Sequence, residues 1–250
     1  MTVNALLVGG PTVVLRYGPL TFLTDPTFDP PGRIGNLVKT AGPAVSASEI
    51  SNVHAVLLSH DEHEDNLDES GRAFLKAVDH VFSTPGAAGR VRGVTGLAPW
   101  QTFTLDHGDT STTVTAVPGQ HGPKVLRSLL GDVTGFIVQS DGLPTVYVSG
   151  DNSSVKVART VAARFPDIAI AFLFVGGAGV KPISSVRLTL DAARALKVAE
   201  AMPGASIVPV HFEDWAHFRE QREEFLAAFA AAGATDRLML LERGVERQLG

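Results

Sequence analysis

LLSHDEHEDNLD, residues 57–68, sets the problem this chain poses. An apolar run stops at Ser59-His60. Six carboxylates then fall between Asp61 and Glu69, with His60 and His63 beside them. A helix N-terminus accounts for part of this charge: Asp65 or Asn66 would cap it, and Asp68 and Glu69 would sit in its first turn, where the helix dipole favours anions. Asp61, His63 and Asp65 alternate just ahead of that helix, and their charge calls for a cation. An EF-hand is excluded, because no Gly follows Asp65 and the twelfth position counted from Asp61 is Arg72. Histidines mixed with carboxylates suit a transition metal: zinc, iron or manganese.

Working outward, four apolar runs finish on a residue of metal-binding type. VHAVLLSH ends at His60, TTVTAVPGQH at His121, TVYVSGD at Asp151 and SIVPVH at His211. In α/β proteins, binding residues gather at the carboxyl ends of strands, because the sheet fixes the strand tips while the loops beyond stay free to vary. One strand-end His is more often structural than functional. Four such endings together with the acidic run make a pattern.

Around these endings the chain alternates between strand and turn. VNALLV (3–8), TVVLRY (12–17) and LTFLTD (20–25) have strand periodicity and are separated by Gly or Pro turns. A loop is expected from Pro26 to about Pro43, a buried strand at 53–58 and a helix at 67–78. Strands are expected at 79–83, 102–105, 111–117, 133–139 and 144–149. Beyond Asp151 helices and strands interleave: helix 153–165, strand 168–175, helix 190–202 stopped by Pro203-Gly204, strand 206–210, and a helix from Asp214 to Ala232. In that last helix Phe218, Phe225 and Phe229 share a face and Gly233 is the C-cap. Strands first, then interleaved helices, imply two sheets packed face to face with helices outside.

The 250 residues read as a single domain, with pseudo-halves of about 1–125 and 126–250. No cysteine is present, so any metal must use His, carboxylate or amide ligands. A net charge of −5 with no Lys/Arg cluster speaks against nucleic acid as a partner. No signal peptide or bilayer-length apolar stretch is visible, so no membrane partner and a cytoplasmic location are expected.

LLSHDEHEDN, VPGQHG, VYVSGDN and IVPVHF, in that order, resemble the metallo-β-lactamase superfamily, particularly its short bacterial hydrolases related to ascorbate-6-phosphate lactonase. GPLTFLTDPTFDP (18–30) resembles the early strand–Asp-Pro segment of that branch, and FVGGAGV (174–180) its closing half. The resemblance implies a four-layer αββα sandwich with a metal cleft at one edge of the two sheets. It implies one or two divalent ions, zinc before manganese or iron, held by His60 or Asp61, His63, Asp65, His121, Asp151 and His211, with Asp151 as the bridge. Aligned from the helix side, Asp61 takes the place of the family's first His; aligned from the strand side, His60 does. Asn66 stands where the family carries a further His. An amide oxygen is a poorer zinc ligand than imidazole, so the position built on Asp65, Asn66 and His211 is expected to be the weaker one.

The function so implied is a metal-dependent hydrolase in which a metal-bound hydroxide attacks an ester, lactone or phosphoester bond of a small molecule. Asp65 would orient the nucleophile or carry its proton. A phosphodiesterase of nucleotides or lipids, and a catalytically weakened ligand-binding member of the fold, are the alternatives; a homo-oligomer is compatible with all three. Lys124 and Arg127 read as solvated charge, and His54, His80, His107 and His217 as structural or exposed. Asp25-Pro26 is either a turn or a support for a ligand histidine through its other ring nitrogen. There is no Gly-x-Ser-x-Gly elbow, and VGGAGVKP lacks the third Gly of a dinucleotide fingerprint.

Overall fold

Alternating apolar residues near the N-terminus form three antiparallel strands, β1 (Val3–Gly9), β2 (Thr12–Tyr17) and β3 (Leu20–Thr24). The computed structural model describes residues 1–179 and 186–250. After β3 the chain makes a small antiparallel arm, β4 (Gly32–Ile34) and β5 (Leu37–Lys39), inside the stretch expected to be loop. It returns as β6 (Ala55–Leu57), α1 (Glu69–Leu75), β7 (His80–Ser83), α2 (Pro85–Arg90) and β8 (Val94–Gly96). The hairpin of β9 (Thr102–His107) and β10 (Thr110–Pro118) follows, then the short α3 (Arg127–Leu130). The remaining elements are β11 (Thr134–Ser140), β12 (Thr145–Val148), α4 (Val155–Arg164), β13 (Ile168–Phe174), α5 (Ala192–Ala201), β14 (Ser206–Val210), α6 (Arg222–Ala231) and β15 (Glu246–Gln248).

The strands make two mixed sheets, ordered β15-β1-β2-β3-β6-β7-β8 and β14-β13-β12-β11-β10-β9. Their inner faces share one apolar core, with Tyr17, Phe22 and Phe82 from the first sheet and Phe136, Phe172 and Phe174 from the second. On the outer face of the first sheet, Leu67 and Leu75 cover Val14, Leu23, Val56 and Val81. On the outer face of the second, Val161 of α4, Val198 of α5 and Phe225 and Phe229 of α6 cover Ile137, Tyr147 and Leu173. Helix, sheet, sheet, helix is the expected αββα sandwich. Each fully buried Phe in these layers contributes on the order of 1.5–3 kcal/mol through removal from water.

Two local expectations need correction. The cap of α1 is Asp68, whose side chain accepts from Gly71 N at 2.8 Å; Asp65 and Asn66 lie before the helix, in a turn where His63 O accepts from Leu67 N. The last helix begins at Arg222 and not at Asp214. Asp214 has φ +75°, and its side chain is tied to Gly10 N at 2.9 Å and to Arg243 at 3.3 Å. Its carbonyl accepts from Thr40 N, and Ala216 N donates to Val38 O, so β5 and the residue after it hold this segment in a bent, non-helical path bridged at Trp215. Gly233, at φ +66°, closes α6 as expected.

Candidate metal centre

The four strand endings converge. β6, in the first sheet, delivers Ser59 and His60; β10, β12 and β14, which run the same way in the second, deliver His121, Asp151 and His211. The site therefore lies across the seam between the sheets. Close approach there requires glycine at 150: with φ +54°, a Cβ would stand 2.6 Å from Thr134 O and 2.7 Å from Ser59 Cβ. His211 itself has φ +59°, an uncommon conformation for a residue with a side chain and one that clusters at functional sites.

Two groups of potential ligands result, each with its ligand atoms within 4.8 Å of one another: His60, His63 and His121; and Asp65, Asp151 and His211. In the first, the three imidazole centroids are 4.9–5.3 Å apart, and His60 Nε2 lies 2.9 Å from His63 Nδ1. In the second, Asp151 Oδ1 is 2.9 Å from His211 Nδ1, and Asp65 Oδ2 is 3.3 Å from His211 Nε2. Asp151 also stands 3.8 Å from His121 Nδ1, which joins the two groups.

All but His63 of these six are buried, and burial shapes their charge. It drives His60 down to about 3, helped by the neighbouring His63. It also lowers His121, which is therefore a neutral lone-pair donor at neutral pH. Burial opposes ionisation of Asp65 and Asp151, but the surrounding imidazoles, His217 and His211 at Asp65 and His211 foremost at Asp151, hold both carboxyls well below the usual range. Conversely, burial opposes charging of His211, yet Asp151 and Asp65 raise it to about 10. Several buried polar atoms here have no hydrogen-bond partner: His121 Nε2, Asn66 Oδ1 and both ring nitrogens of His211. Leaving such groups unsatisfied costs about 1–3 kcal/mol each. Three imidazoles beside an N,O,O set, with buried polar atoms left unpartnered, fit divalent ions of the zinc class.

His60, His63, Asp65, His121, Asp151 and His211 come together. Asp61 does not: Arg90 Nε and Nη2 grip its two oxygens at 3.1 and 2.6 Å, so it serves as a salt-bridge partner away from the histidines, and His60 is the residue that joins them. That pairing spans 29 residues and has no local sequence signal. Asp25 supports the site at one remove: it accepts from Ser59 N at 2.5 Å, Ser59 Oγ at 2.7 Å and Asn66 Nδ2 at 3.1 Å, while Ser59 Oγ contacts His60 Nδ1 at 2.9 Å. Burial pushes its carboxyl up to about 7 despite those donors. Asn66 also donates to Asp151 Oδ1 at 3.3 Å.

His217, expected to be structural or exposed, lies beside the second group: its Nε2 is 3.0 Å from Asp65 Oδ2 and it lines the cleft. The spacing from His211, which brackets a buried Trp215, is the signal that could have found it. His54 keeps a structural role, its Nδ1 accepting from Thr21 N at 3.0 Å. Arg127 pairs with Asp132 and Lys124 is exposed, as expected. Val180, the last residue of the 174–180 stretch, and the Lys181-Pro182 that ends VGGAGVKP lie outside the described residues.

A cleft of about 810 Å³ opens onto both groups. Glu62, Glu64 and Asn36 contribute polar lining, and Leu37, Leu129, Leu130, Ala178 and Leu188 apolar lining. Among the described residues that line it there is no Lys or Arg.

Comparison with known proteins agrees with this architecture. A UPF0173 metal-dependent hydrolase of Pyrococcus furiosus is 26% identical over 215 residues, covering 83% of this chain and 84% of the relative. UPF0173 protein YddR of Bacillus subtilis is 24% identical, with 96% and 98% covered. Among solved structures, an isothiocyanate hydrolase from Delia radicum gut bacteria superposes with a TM-score of 0.84 at 22% identity, covering 98% of both chains. A possible metal-dependent hydrolase from Veillonella parvula gives 0.84 at 19%, covering 99% of both. The family model described as "Beta-lactamase superfamily domain" matches residues 21–212, and with that span this chain belongs to the metallo-β-lactamase superfamily.

Proposed function

We propose that this protein is a metal-dependent hydrolase of a small, uncharged molecule, with a bond of the ester or lactone kind as its target. The observation that carries the reading is the pair of ligand groups, His60–His63–His121 and Asp65–Asp151–His211, meeting at the foot of one cleft. Each group suits one divalent ion, and the all-imidazole set favours zinc. Such ions, when bound, lower the pKa of a coordinated water from about 15.7 to roughly 7 and polarise the carbonyl under attack.

The residues of the chain supply the rest. Asp151, 3.8 Å from His121 and 2.9 Å from His211, would serve both positions. Asn66, donating to Asp25 and Asp151, fixes the Asp151 carboxylate that both ions would share. Asp25 and Ser59 hold the His60 ring from behind. Asp65, ionised and on the cleft wall, orients the attacking water and takes its proton. Leu37, Leu129, Leu130 and Leu188 receive the apolar part of the substrate and exclude water from it. Glu62 and Glu64 beside them make a phosphate-bearing substrate the poorer match.

Elemental analysis of the purified protein, followed by hydrolysis of a lactone, aryl ester, isothiocyanate and phosphodiester panel with and without chelator, tests the proposal. Isothiocyanates enter the panel because the structural neighbour from Delia radicum gut bacteria carries that name. Stoichiometric metal, lost in His63→Ala and His121→Ala together with chelator-sensitive turnover, is the expected result. Metal-free protein, or metal content unchanged in both variants, would overturn it.

A further inference from the structure

The Asp65–Asp151–His211 group has only one imidazole, because Asn66 occupies the place where the family pattern has its last His. Asn66 turns its amide nitrogen to the carboxylates of Asp25 and Asp151, at 3.1 and 3.3 Å, and so acts there as a clamp. The geometry points to His217 as the substitute: the second imidazole of this position, supplied from the loop after β14 in place of the residue after Asp65. The inference rests on the metal-dependent reading above.

Three observations carry it. First, the nitrogens of two histidines converge on one carboxylate oxygen: Asp65 Oδ2 lies 3.3 Å from His211 Nε2 and 3.0 Å from His217 Nε2. Ligands of one tetrahedral ion, with bonds of about 2.0–2.2 Å, stand about 3.3 Å from each other. Second, buried ring nitrogens are left over here: both of His211 and Nδ1 of His217 have no hydrogen-bond partner. Ring nitrogens brought together and left unsatisfied are arranged as atoms that share a third partner are. Third, the ring is held in place before any ion arrives. Phe218 packs between the two imidazoles, its centroid 4.9 Å from that of His211 and 4.6 Å from that of His217. His217 O accepts from Gly179 N at 3.2 Å, and the neighbouring Ala216 N donates to Val38 O at 3.0 Å. A side chain positioned by its supporting shell is what a metal position needs.

The test is titration of metal-free protein with zinc and with cobalt, following binding calorimetrically and through the visible absorption of bound cobalt. Wild type is expected to take up two ions. His217→Ala and His217→Gln should retain the first and bind the second at least tenfold more weakly, with a changed cobalt spectrum for that equivalent alone. Metal-free melting temperatures establish that each variant folds, and His217→Gln carries the test where His217→Ala does not. Two ions bound with unchanged affinity and spectrum in a folded variant would overturn the assignment, as would wild type that accepts only one ion; both leave the hydrolase reading standing. Wild type that binds no ion removes both.

Discussion

Replacing Lys39 by Met should destabilise the protein by about 3 kcal/mol. Lys39 Nζ lies 3.2 Å from Asp68 Oδ2, and the two side chains are 3% and 0% exposed. Breaking a buried ion pair by removing one partner costs about 3–5 kcal/mol, because the remaining charge has lost its compensation. Asp68 would keep two backbone donors, Asp29 N at 2.7 Å and Gly71 N at 2.8 Å, which places the cost at the low end of that range. For a domain of this size each kcal/mol moves the midpoint by about 2–4 °C, so the melting temperature should fall by roughly 6–12 °C. Urea denaturation of Lys39→Met, Asp68→Asn and the double variant measures the coupling directly. The double variant should be less damaged than the sum of the singles by at least about 1.5 kcal/mol. A loss below about 1 kcal/mol for Lys39→Met, or strict additivity, would refute the reasoning. Since β5 carries Lys39 and also anchors the segment before His217, metal affinity should weaken along with stability.

Other outcomes follow from the same geometry. Removing metal with a chelator should lower the melting temperature by about 5–10 °C for each ion lost, since one ion at a hundred times its Kd contributes about 2.7 kcal/mol; an unchanged melt would count against bound ions. Asp61→Asn should cost about 1 kcal/mol near pH 6. Burial raises the Asp61 carboxyl, but the Arg90 hydrogen bonds and charge bring it below its ordinary value, so its contribution is present above about pH 4 and is lost as pH falls through the lowered native pKa. Denaturation at pH 6 and pH 2.5 should therefore show a difference from wild type that closes in acid. Gly150→Ala forces a Cβ to within 2.6 Å of Thr134 O at positive φ and should cost about 2–4 kcal/mol and weaken metal binding; calorimetry on the folded variant checks both.

Much of this molecule can be read from its chain, and the exceptions share a cause. The strand endings at His60, His121, Asp151 and His211 are local patterns, apolar run then ligand, and the sheets convert them directly into a cluster. The choice between His60 and Asp61 is not local. Arg90, from α2, holds both Asp61 oxygens, and no spacing rule foretells a partner 29 residues away. Phe218, Phe225 and Phe229 fit a single helical face, yet only Phe225 and Phe229 lie in α6. Phe218 belongs to a loop that β5, Gly10 and Arg243 hold out of the helix, and there it packs against two imidazoles. Tertiary ties overrode a periodicity that was real but coincidental, and His217 was hidden with it. The Asp68 cap was likewise masked by a surplus of equally good capping residues two and three positions earlier.

His60 and His63 hang from one sheet and His121 from the other, so an ion gripped by all three would rivet the two layers of the sandwich at that margin. Sliding of one layer over its neighbour would then have to tear ligands from the ion before the apolar interior opened. Loss of the ion should therefore loosen the seam first, leaving each layer's own strand pairing to fail later.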